Sequence, residues 1–138
     1  MNTSTFAVHE IGTVESSLQD LAKAPKQGYE GAPDARIRLA SAFRAALDGI
    51  APGQDVLVLT WLHRARRDLL AVHPRDDPRN PLTGVFASRS ADRPNPIGLH
   101  RVTILAVEDD SLVVRGLEAV HGTPVIDLKP ALAGRAEW

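Results

Sequence analysis

The chain of 138 residues contains no cysteine, and aromatic residues make up only 4% of it. The absence of cysteine excludes disulfides, thiolate zinc sites and cysteine nucleophiles, and it fits a reducing compartment. Because aromatic side chains are scarce, the core must be built from Val, Leu, Ile and Ala. No apolar run approaches the length that crosses a bilayer, and the first residues lack the basic and apolar segments of a signal peptide. We therefore expect a cytoplasmic protein.

An excess of charge of one sign is also missing, since the formal net charge is −1. This value argues against a generally basic coat for nucleic acid. The charge is uneven, however, because residues 63–101 hold eight arginines against four aspartates, a local balance of +4. That asymmetry suggests an anionic partner at one face of the molecule. The alternative is a solvated face whose arginines pair with nearby acids.

The hydropathy pattern predicts a mainly β protein with one short helix. Alternating or β-branched segments predict strands at 6–15, 37–39, 55–62, 84–87, 97–108, 112–117 and 125–128. Residues 41–47 predict the helix, with Ser41 as its candidate N-cap, and residues 24–34 and 74–81 predict loops. Short strands separated by turn signals favour an antiparallel sheet that closes into a compact barrel. We expect a single domain over residues 1–138, with no C-terminal extension.

The stretch from Gly84 to Leu99 is unusual because folding alone does not require it. It places two arginines, an asparagine and two prolines between two apolar segments. Arg93 and Asn95 each precede a proline, which holds both in extended conformations. A stiff loop that presents a guanidinium and a carboxamide can hold planar, polar or anionic ligands. The alternative is a surface turn with ordinary arginines.

Other motifs are weaker. No Gly-x-Gly-x-x-Gly follows a strand, no Walker loop is present, and no histidine spacing indicates zinc, so we expect no metal. The pair Asp76-Asp77 is better explained as a solvated loop than as metal ligands. In Gly122-Thr123-Pro124, a glycine and a proline bracket a threonine at the start of a strand. We expect the backbone groups of this segment to be free to meet a ligand.

Three of these motifs occur in a fixed order and spacing: Gly84 to Ser90, the sequence Arg93-Pro94-Asn95-Pro96-Ile97-Gly98, and Gly122 to Pro130. They follow Ile11-Gly12-Thr13-Val14 and Pro25-Lys26-Gln27. Over roughly residues 6–132 the chain resembles the YaeB-like (TsaA) family, whose characterised members are tRNA methyltransferases of the TrmO type. The Arg-Pro-Asn-Pro-Ile-Gly segment is the most specific part of the resemblance.

The resemblance implies a compact YaeB-like β-barrel, S-adenosyl-L-methionine bound near a homodimer interface, and N-methylation of N6-threonylcarbamoyladenosine beside the anticodon of tRNA. By matching motifs it implies cofactor contacts from Pro25, Lys26, Gln27, Leu62, His63, Arg89, Leu99, His121, Gly122, Thr123 and Pro124. We add Arg93 and Asn95 as candidate substrate contacts. Arg75 joins them as part of the arginine-rich window, which we expect to bind phosphates of the anticodon loop.

The chain departs from the family pattern at two implied cofactor contacts. Lys26 stands where the family usually has arginine, which keeps the charge but loses the bidentate geometry. His121 stands where the family usually has aspartate, which replaces an acid with a switchable imidazole. Two other functions stay open: a methyltransferase of the same fold acting on a small molecule, and a non-catalytic nucleotide- or RNA-binding module.

A carbamoylated N6 nitrogen is a poor nucleophile because its lone pair is delocalised, so it needs a proton acceptor or a localising hydrogen bond. The candidates for this role are His63, His73, His121 and Asp127. The sequence does not rank them, and the catalytic residue stays unknown at this point.

Overall fold

The computed structural model describes residues 3–19 and 31–132, and its main feature is a closed barrel of six antiparallel strands. In chain order the strands are β1 (Gly12–Glu15), β2 (Ala35–Leu39), β3 (Asp55–Trp61), β4 (Ala71–Val72), β5 (Thr83–Gly84), β6 (Ile97–Val107), β7 (Ser111–Arg115) and β8 (Pro124–Pro130). The barrel runs β1-β2-β7-β6-β3-β8, and β4 pairs with β5 in a separate hairpin. The predicted mainly β fold and antiparallel barrel are confirmed.

The core inside the barrel is aliphatic, as the scarcity of aromatic residues predicts. Alternate residues of each strand face inward because side chains in a strand point to opposite faces in turn. In β6 the inward positions are Gly98, His100, Val102 and Ile104, and all four are buried. The fully buried aliphatic side chains of the core include Val14, Ile37, Val58, Ile104, Leu112, Val114, Leu117 and Val125.

The first strand is shorter than predicted. It begins at Gly12 rather than at residue 6, and residues 3–10 are exposed. The backbone of Ile11 makes the last contacts with neighbouring strands, donating to the Val125 carbonyl at 2.8 Å and accepting from the Ala40 amide at 2.9 Å. The alternating pattern in residues 6–10 therefore lacks the neighbouring strand that it needs to become part of a sheet.

The predicted helix at 41–47 forms, but as a 3₁₀ helix with no buried residue. The N-cap prediction for Ser41 is wrong, because Ala40 occupies the N-cap and no side chain caps the helix. The predicted strand at 84–87 is also wrong beyond Gly84, since Val85–Ala87 forms a 3₁₀ turn. Buried Val85 donates its amide to the Leu70 carbonyl at 3.0 Å, which fixes the chain there and turns it away from the hairpin.

The predicted loop at 74–81 contains a third short 3₁₀ turn, Pro74–Asp76. Arg75 and Asp76 both have a φ of 58°, which non-glycine residues rarely adopt. Among residues 3–19 and 31–132, no helix is long and apolar enough to cross a membrane.

Gly12 provides a test of barrel geometry. A Cβ at this position would overlap the carbonyl oxygen of Arg38 on β2, which is backbone and cannot swing aside. We expect Gly12→Ala to lower the free energy of unfolding by roughly 2–4 kcal/mol, measured by urea titration. Gly84→Ala is the matched control, because its Cβ would come no closer than 3.9 Å, to the Leu70 carbonyl oxygen. Equal unfolding free energies for the two variants would contradict this assignment.

Candidate functional site

One end of the barrel gathers residues from four separate parts of the sequence. Thr60 of β3 pairs with Gly98 of β6 on one side and with Val125 of β8 on the other. The Leu62 amide then donates to the Pro96 carbonyl at 2.8 Å, so the chain leaving β3 lies beside the chain entering β6. We call this end the upper rim; it comprises residues 15–18, 60–63, 95–99 and 121–125.

The turn before β8 is built by its own backbone. Gly122 has a φ of 86°, and its amide donates to the Val14 carbonyl at 2.8 Å. The His121 amide donates to the Leu18 carbonyl at 2.6 Å, and the Thr123 amide and hydroxyl both donate to the Val120 carbonyl. The expectation of free backbone groups in Gly122-Thr123-Pro124 is therefore wrong for the Gly122 and Thr123 amides. The exposed His121 side chain is what the turn presents to solvent.

The His121 ring lies against the end of β1. Its Nδ1 accepts a hydrogen bond from the Ser16 amide at 3.3 Å. Next to it, the Arg38 guanidinium donates to both Glu15 carboxylate oxygens, at 2.8 and 3.1 Å. These hydrogen bonds hold the pKa of Glu15 below its ordinary value, and the charge of a protonated His121 would lower it further. This corner of the upper rim thus places the Glu15 carboxylate close to the His121 imidazole.

Arg93 holds together the loop that precedes β6. Its Nε donates to the Ser90 carbonyl at 2.8 Å, and its Nη2 donates to the carbonyls of Val85 and Ser88 at 2.5 and 2.6 Å. The guanidinium is half-buried and points into the loop that carries Arg89. Asn95, by contrast, is exposed between its two prolines, and Arg89 is exposed as well.

A second loop, residues 62–68, packs against the first. Arg67 lies over the ring of Trp61 at 5.1 Å and donates from Nε to the Pro94 carbonyl at 2.9 Å. Arg64 reaches the Gln19 carbonyl at 3.1 Å, which ties this loop to the segment following β1. The predicted cofactor contacts Pro25, Lys26 and Gln27 lie further along that segment, outside the described residues.

Several arginines of the arginine-rich window, residues 63–101, form ion pairs with aspartates. Arg66 pairs with Asp68 at 2.9 Å and Arg79 with Asp77 at 2.7 Å, and hydrogen bonds from these arginines lower the pKa of each aspartate. Arg101 pairs with Asp55 across β6 and β3 at 3.2 Å. The alternative of arginines paired with neighbouring acids therefore describes these three. Arg75 is exposed on the 3₁₀ turn of the hairpin.

The four candidate proton acceptors lie in three places. His63 and His121 are exposed on the upper rim. His73 lies on the hairpin, where its Nδ1 is 2.8 Å from the Asn80 carbonyl. Asp127 is half-buried on β8 opposite Leu59, and it accepts the Leu128 amide at 2.9 Å. The structure thus brings two of the four candidates to the upper rim and leaves His73 on a different element.

Sequence reasoning missed three polar residues inside the barrel. His100 is 5% exposed; its Nδ1 lies 2.5 Å from Oε1 of Glu118, and its Nε2 lies 2.7 Å from Oγ1 of Thr60. The signal was present, because His100 follows Gly98 by two residues and precedes the apolar inward positions of β6. A histidine in register with core residues has to be hydrogen-bonded from within.

In the described ranges, no group of three or more His, Asp or Glu side chains is arranged to hold a metal ion. An open groove of about 340 Å³ follows the outside of β1 and β2, lined by residues 15–17, 34–36 and 113. It reaches the upper rim at residues 15–17 but does not contain Leu62, Arg89 or Leu99.

Known proteins resemble this chain in sequence and in fold. Residues 13–134 match the family described as the tRNA-methyltransferase O N-terminal domain. A protein of Halobacterium salinarum named "Probable S-adenosyl-L-methionine-binding protein" is 42% identical over 124 residues, covering 88% of this chain and 95% of that one. An S-adenosyl-L-methionine-binding protein of Archaeoglobus fulgidus is 40% identical over 119 residues, covering 86% and 84%.

Among solved structures, TrmO from Pseudomonas aeruginosa superposes with a TM-score of 0.76 at 29% identity and covers 98% of this chain. This chain spans 61% of that longer one. A barrel whose rim is assembled from motif-bearing loops defines a class distinct from the usual methyltransferase sheet. The chain belongs to this class, the TrmO-type family of S-adenosylmethionine-binding methyltransferases, which confirms the resemblance of its motifs.

The hydrogen bonds of Arg93 lead to a prediction about the loop before β6. Lysine keeps the charge but cannot reach three carbonyls at once, so Arg93→Lys should loosen residues 85–90. We expect the Ser88 amide, which donates to the Val85 carbonyl at 3.2 Å, to exchange hydrogen about tenfold faster. Arg79→Lys on the hairpin is the control and should leave this exchange unchanged. Equal exchange in both variants would mean that the guanidinium does not hold the loop.

Proposed function

We propose that this chain binds S-adenosyl-L-methionine at the upper rim and methylates N6 of threonylcarbamoyladenosine in tRNA. The observation that carries the proposal is the convergence of Leu62, His63, Leu99 and the turn 121–124. These residues are far apart in sequence, yet the pairing of β3 with β6 and β8 assembles them at one end of the barrel. The family to which the chain belongs is the reason for proposing this cofactor, and the upper rim is where we propose that it binds.

The residues of the upper rim fit the chemistry of the cofactor. Leu62 is half-buried and Leu99 is 37% exposed, so both offer apolar surface to a purine ring. Arg89 is exposed on the loop before β6, where its guanidinium suits a carboxylate. His121 offers a polar ring from the turn that precedes β8. Pro25, Lys26 and Gln27 complete our proposed set of contacts, together with His63, Gly122, Thr123 and Pro124.

When bound, S-adenosylmethionine supplies an electrophilic methyl carbon. The chain must hold the acceptor nitrogen in line with that carbon and exclude water from it. It must also accept the N6 proton or localise the nitrogen lone pair. We propose His63 and His121 for this task, because both are exposed on the upper rim, whereas His73 belongs to the hairpin.

The proposed contacts to RNA are Asn95 of the upper rim and Arg75 of the β4–β5 hairpin. Asn95 is exposed and held extended by the prolines around it, so its carboxamide can pair with a base edge or a carbamoyl group. Arg75 lies on the hairpin turn, and we propose that it contacts phosphates of the anticodon loop. Arg93 acts indirectly, because it shapes the loop that presents Arg89.

A small-molecule acceptor is the second candidate. A non-catalytic nucleotide- or RNA-binding module is a third candidate, favoured by His121 at a position where an acid is expected. The three candidates differ in whether methyl transfer occurs and in which molecule receives the methyl group.

The deciding experiment is an incubation of the purified chain with S-adenosylmethionine and tRNA that carries threonylcarbamoyladenosine, followed by digestion and mass spectrometry of the nucleosides. We expect the N6-methylated nucleoside. Arg89→Ala should reduce its yield at least about a hundredfold, as expected when a charged contact to a bound group is lost. Arg44→Ala, on the 3₁₀ helix 41–47 beside the β6–β7 turn at the opposite end of the barrel, is the control and should retain full yield.

Calorimetric titration with S-adenosylmethionine separates the remaining outcomes. Cofactor binding without methylated nucleoside would move the function to another methyl acceptor. Failure to bind the cofactor would contradict the proposal and favour the binding module.

We further propose that the protein is a homodimer acting in the cytoplasm, where its cofactor and tRNA are found. On the outer face of β6, Ile97 is 42% and Leu99 37% exposed, and Phe86 of the neighbouring turn is 85% exposed. A second copy would cover such apolar surface and close the open rim.

Light scattering should give twice the chain mass of 14.9 kDa. Ile97→Lys should shift the protein to the monomer, while Val107→Lys at the other end of β6 should not. A wild-type monomer in the presence of cofactor would contradict the dimer.

A further inference from the structure

Three polar side chains form a line through the top of the barrel core. The hydroxyl of Thr60, the imidazole of His100 and the carboxylate of Glu118 are joined by contacts of 2.7 and 2.5 Å. Thr60 is fully buried, and the side chains of His100 and Glu118 are 5% and 14% exposed. The two ring nitrogens of His100 are therefore both used inside the protein.

The hydrogen-bonding capacities of the three groups match. In the neutral tautomer that carries its proton on Nδ1, the His100 ring donates to the Glu118 carboxylate, which as an ion only accepts. Nε2 is then the acceptor, and the Thr60 hydroxyl donates to it. No buried side-chain nitrogen or oxygen among residues 3–19 and 31–132 lacks a partner, this line included.

Gly98 is the residue that leaves room for this arrangement. A Cβ at position 98 would overlap Oγ1 of Thr60 and lie 2.7 Å from Nε2 of His100 and 3.2 Å from Cδ2 of Leu62. Its place in the Pro-Asn-Pro-Ile-Gly segment is thereby explained by the buried histidine beneath it. The stiff loop and the polar line form one packed unit.

The order hydroxyl, imidazole, carboxylate resembles that of a nucleophile, its base and an orienting acid. Thr60 cannot act as a nucleophile, however, because a side chain with no exposed surface meets no substrate. Thr60, His100 and Glu118 must therefore have a structural role, through the segments that they connect.

Each member of the line belongs to a different segment of the upper rim. Thr60 comes two residues before Leu62, His100 comes directly after Leu99, and Glu118 comes three residues before His121. Residues 116–123 form no strand, so the Glu118 contact is a side-chain anchor of that loop to β6. One imidazole thus links the three segments that carry the proposed cofactor contacts.

We propose that His100 is a positioning residue for the cofactor site, acting through Thr60 and Glu118. By bonding to both, it fixes the end of β3 and the loop 117–123 relative to β6. The spacing between Leu62, Leu99 and His121 is then set before the ligand arrives, which reduces the ordering cost of binding. This inference rests on the proposed function, because it assigns the line a role toward that cofactor.

The test compares substitutions that break the line with substitutions that keep it. Thr60→Val preserves shape but leaves Nε2 without its donor, and Glu118→Ala removes the carboxylate. We expect each to weaken S-adenosylmethionine binding about tenfold by calorimetry, a change of about 1.4 kcal/mol. We also expect faster hydrogen exchange at the His121 and Gly122 amides. Thr60→Ser and Glu118→Gln retain a donor and an acceptor, so both should bind within about threefold of the original chain.

Ile104→Val is the matched control, because it removes one methylene from the same face of β6 without touching the line. It should lower the melting temperature yet leave cofactor affinity and loop exchange unchanged. The proposal is overturned if Ile104→Val weakens binding as much as Thr60→Val does, or if Thr60→Val and Glu118→Ala change neither affinity nor exchange.

Failure of the original chain to bind the cofactor at all would contradict the proposed function and with it the cofactor role of His100. Hydrogen exchange would still show whether the line holds the loop, so the two failures can be told apart.

Discussion

The site depends on the pairing of β8 with two strands at once. Val125, fully buried, lies opposite Gly12 of β1 on one side and Thr60 of β3 on the other. This double pairing closes the barrel, and it leaves no free sheet edge at that position. It also carries the turn 121–124 to the chain that leaves β3. Without closure, residues from the two ends of the sequence would share no surface.

Two sets of side-chain hydrogen bonds then stabilise the upper rim that barrel closure brings together. Outside the barrel, Arg93 gathers three carbonyls and so fixes the loop that presents Arg89. Inside the barrel, His100 links Thr60 and Glu118 and so fixes the strands and loop beneath. Both use a side chain with several donors or acceptors to satisfy groups from different segments. The Arg93 guanidinium therefore stabilises the shape of the loop through hydrogen bonds that need no ligand.

The fold could be predicted from sequence wherever a local pattern decides it. The apolar patterns of residues 97–108 and 112–117 predict two strands in succession, and the structure pairs them as β6 and β7. The end of β1 could not be predicted, because the alternating residues 6–10 become a strand only if a neighbour reaches them. Val85 likewise leaves the strand geometry because of a contact with Leu70, which a local pattern does not reveal.

The same distinction applies to the site. Motif residues such as Arg89 and Thr123 could be named as candidates from the sequence, because their order and spacing are specific. The structural role of Arg93 could not be predicted from the sequence, because its partners are backbone carbonyls that come together only when the loop has folded. His100 and Glu118 are eighteen positions apart, and only the folded chain brings the loop that carries Glu118 beside β6.

The closing pair of the barrel has a consequence for the growing chain. Gly12 and Val125 stand near opposite ends of the described sequence, so their pairing closes a loop that includes nearly every other strand. Contacts of such long range form slowly, because the chain loses the entropy of the whole loop before the pairing rewards it. The β6–β7 hairpin needs no such closure, because its two strands are adjacent in the chain. The upper rim depends on the long-range pairing, so we expect it to form late in folding.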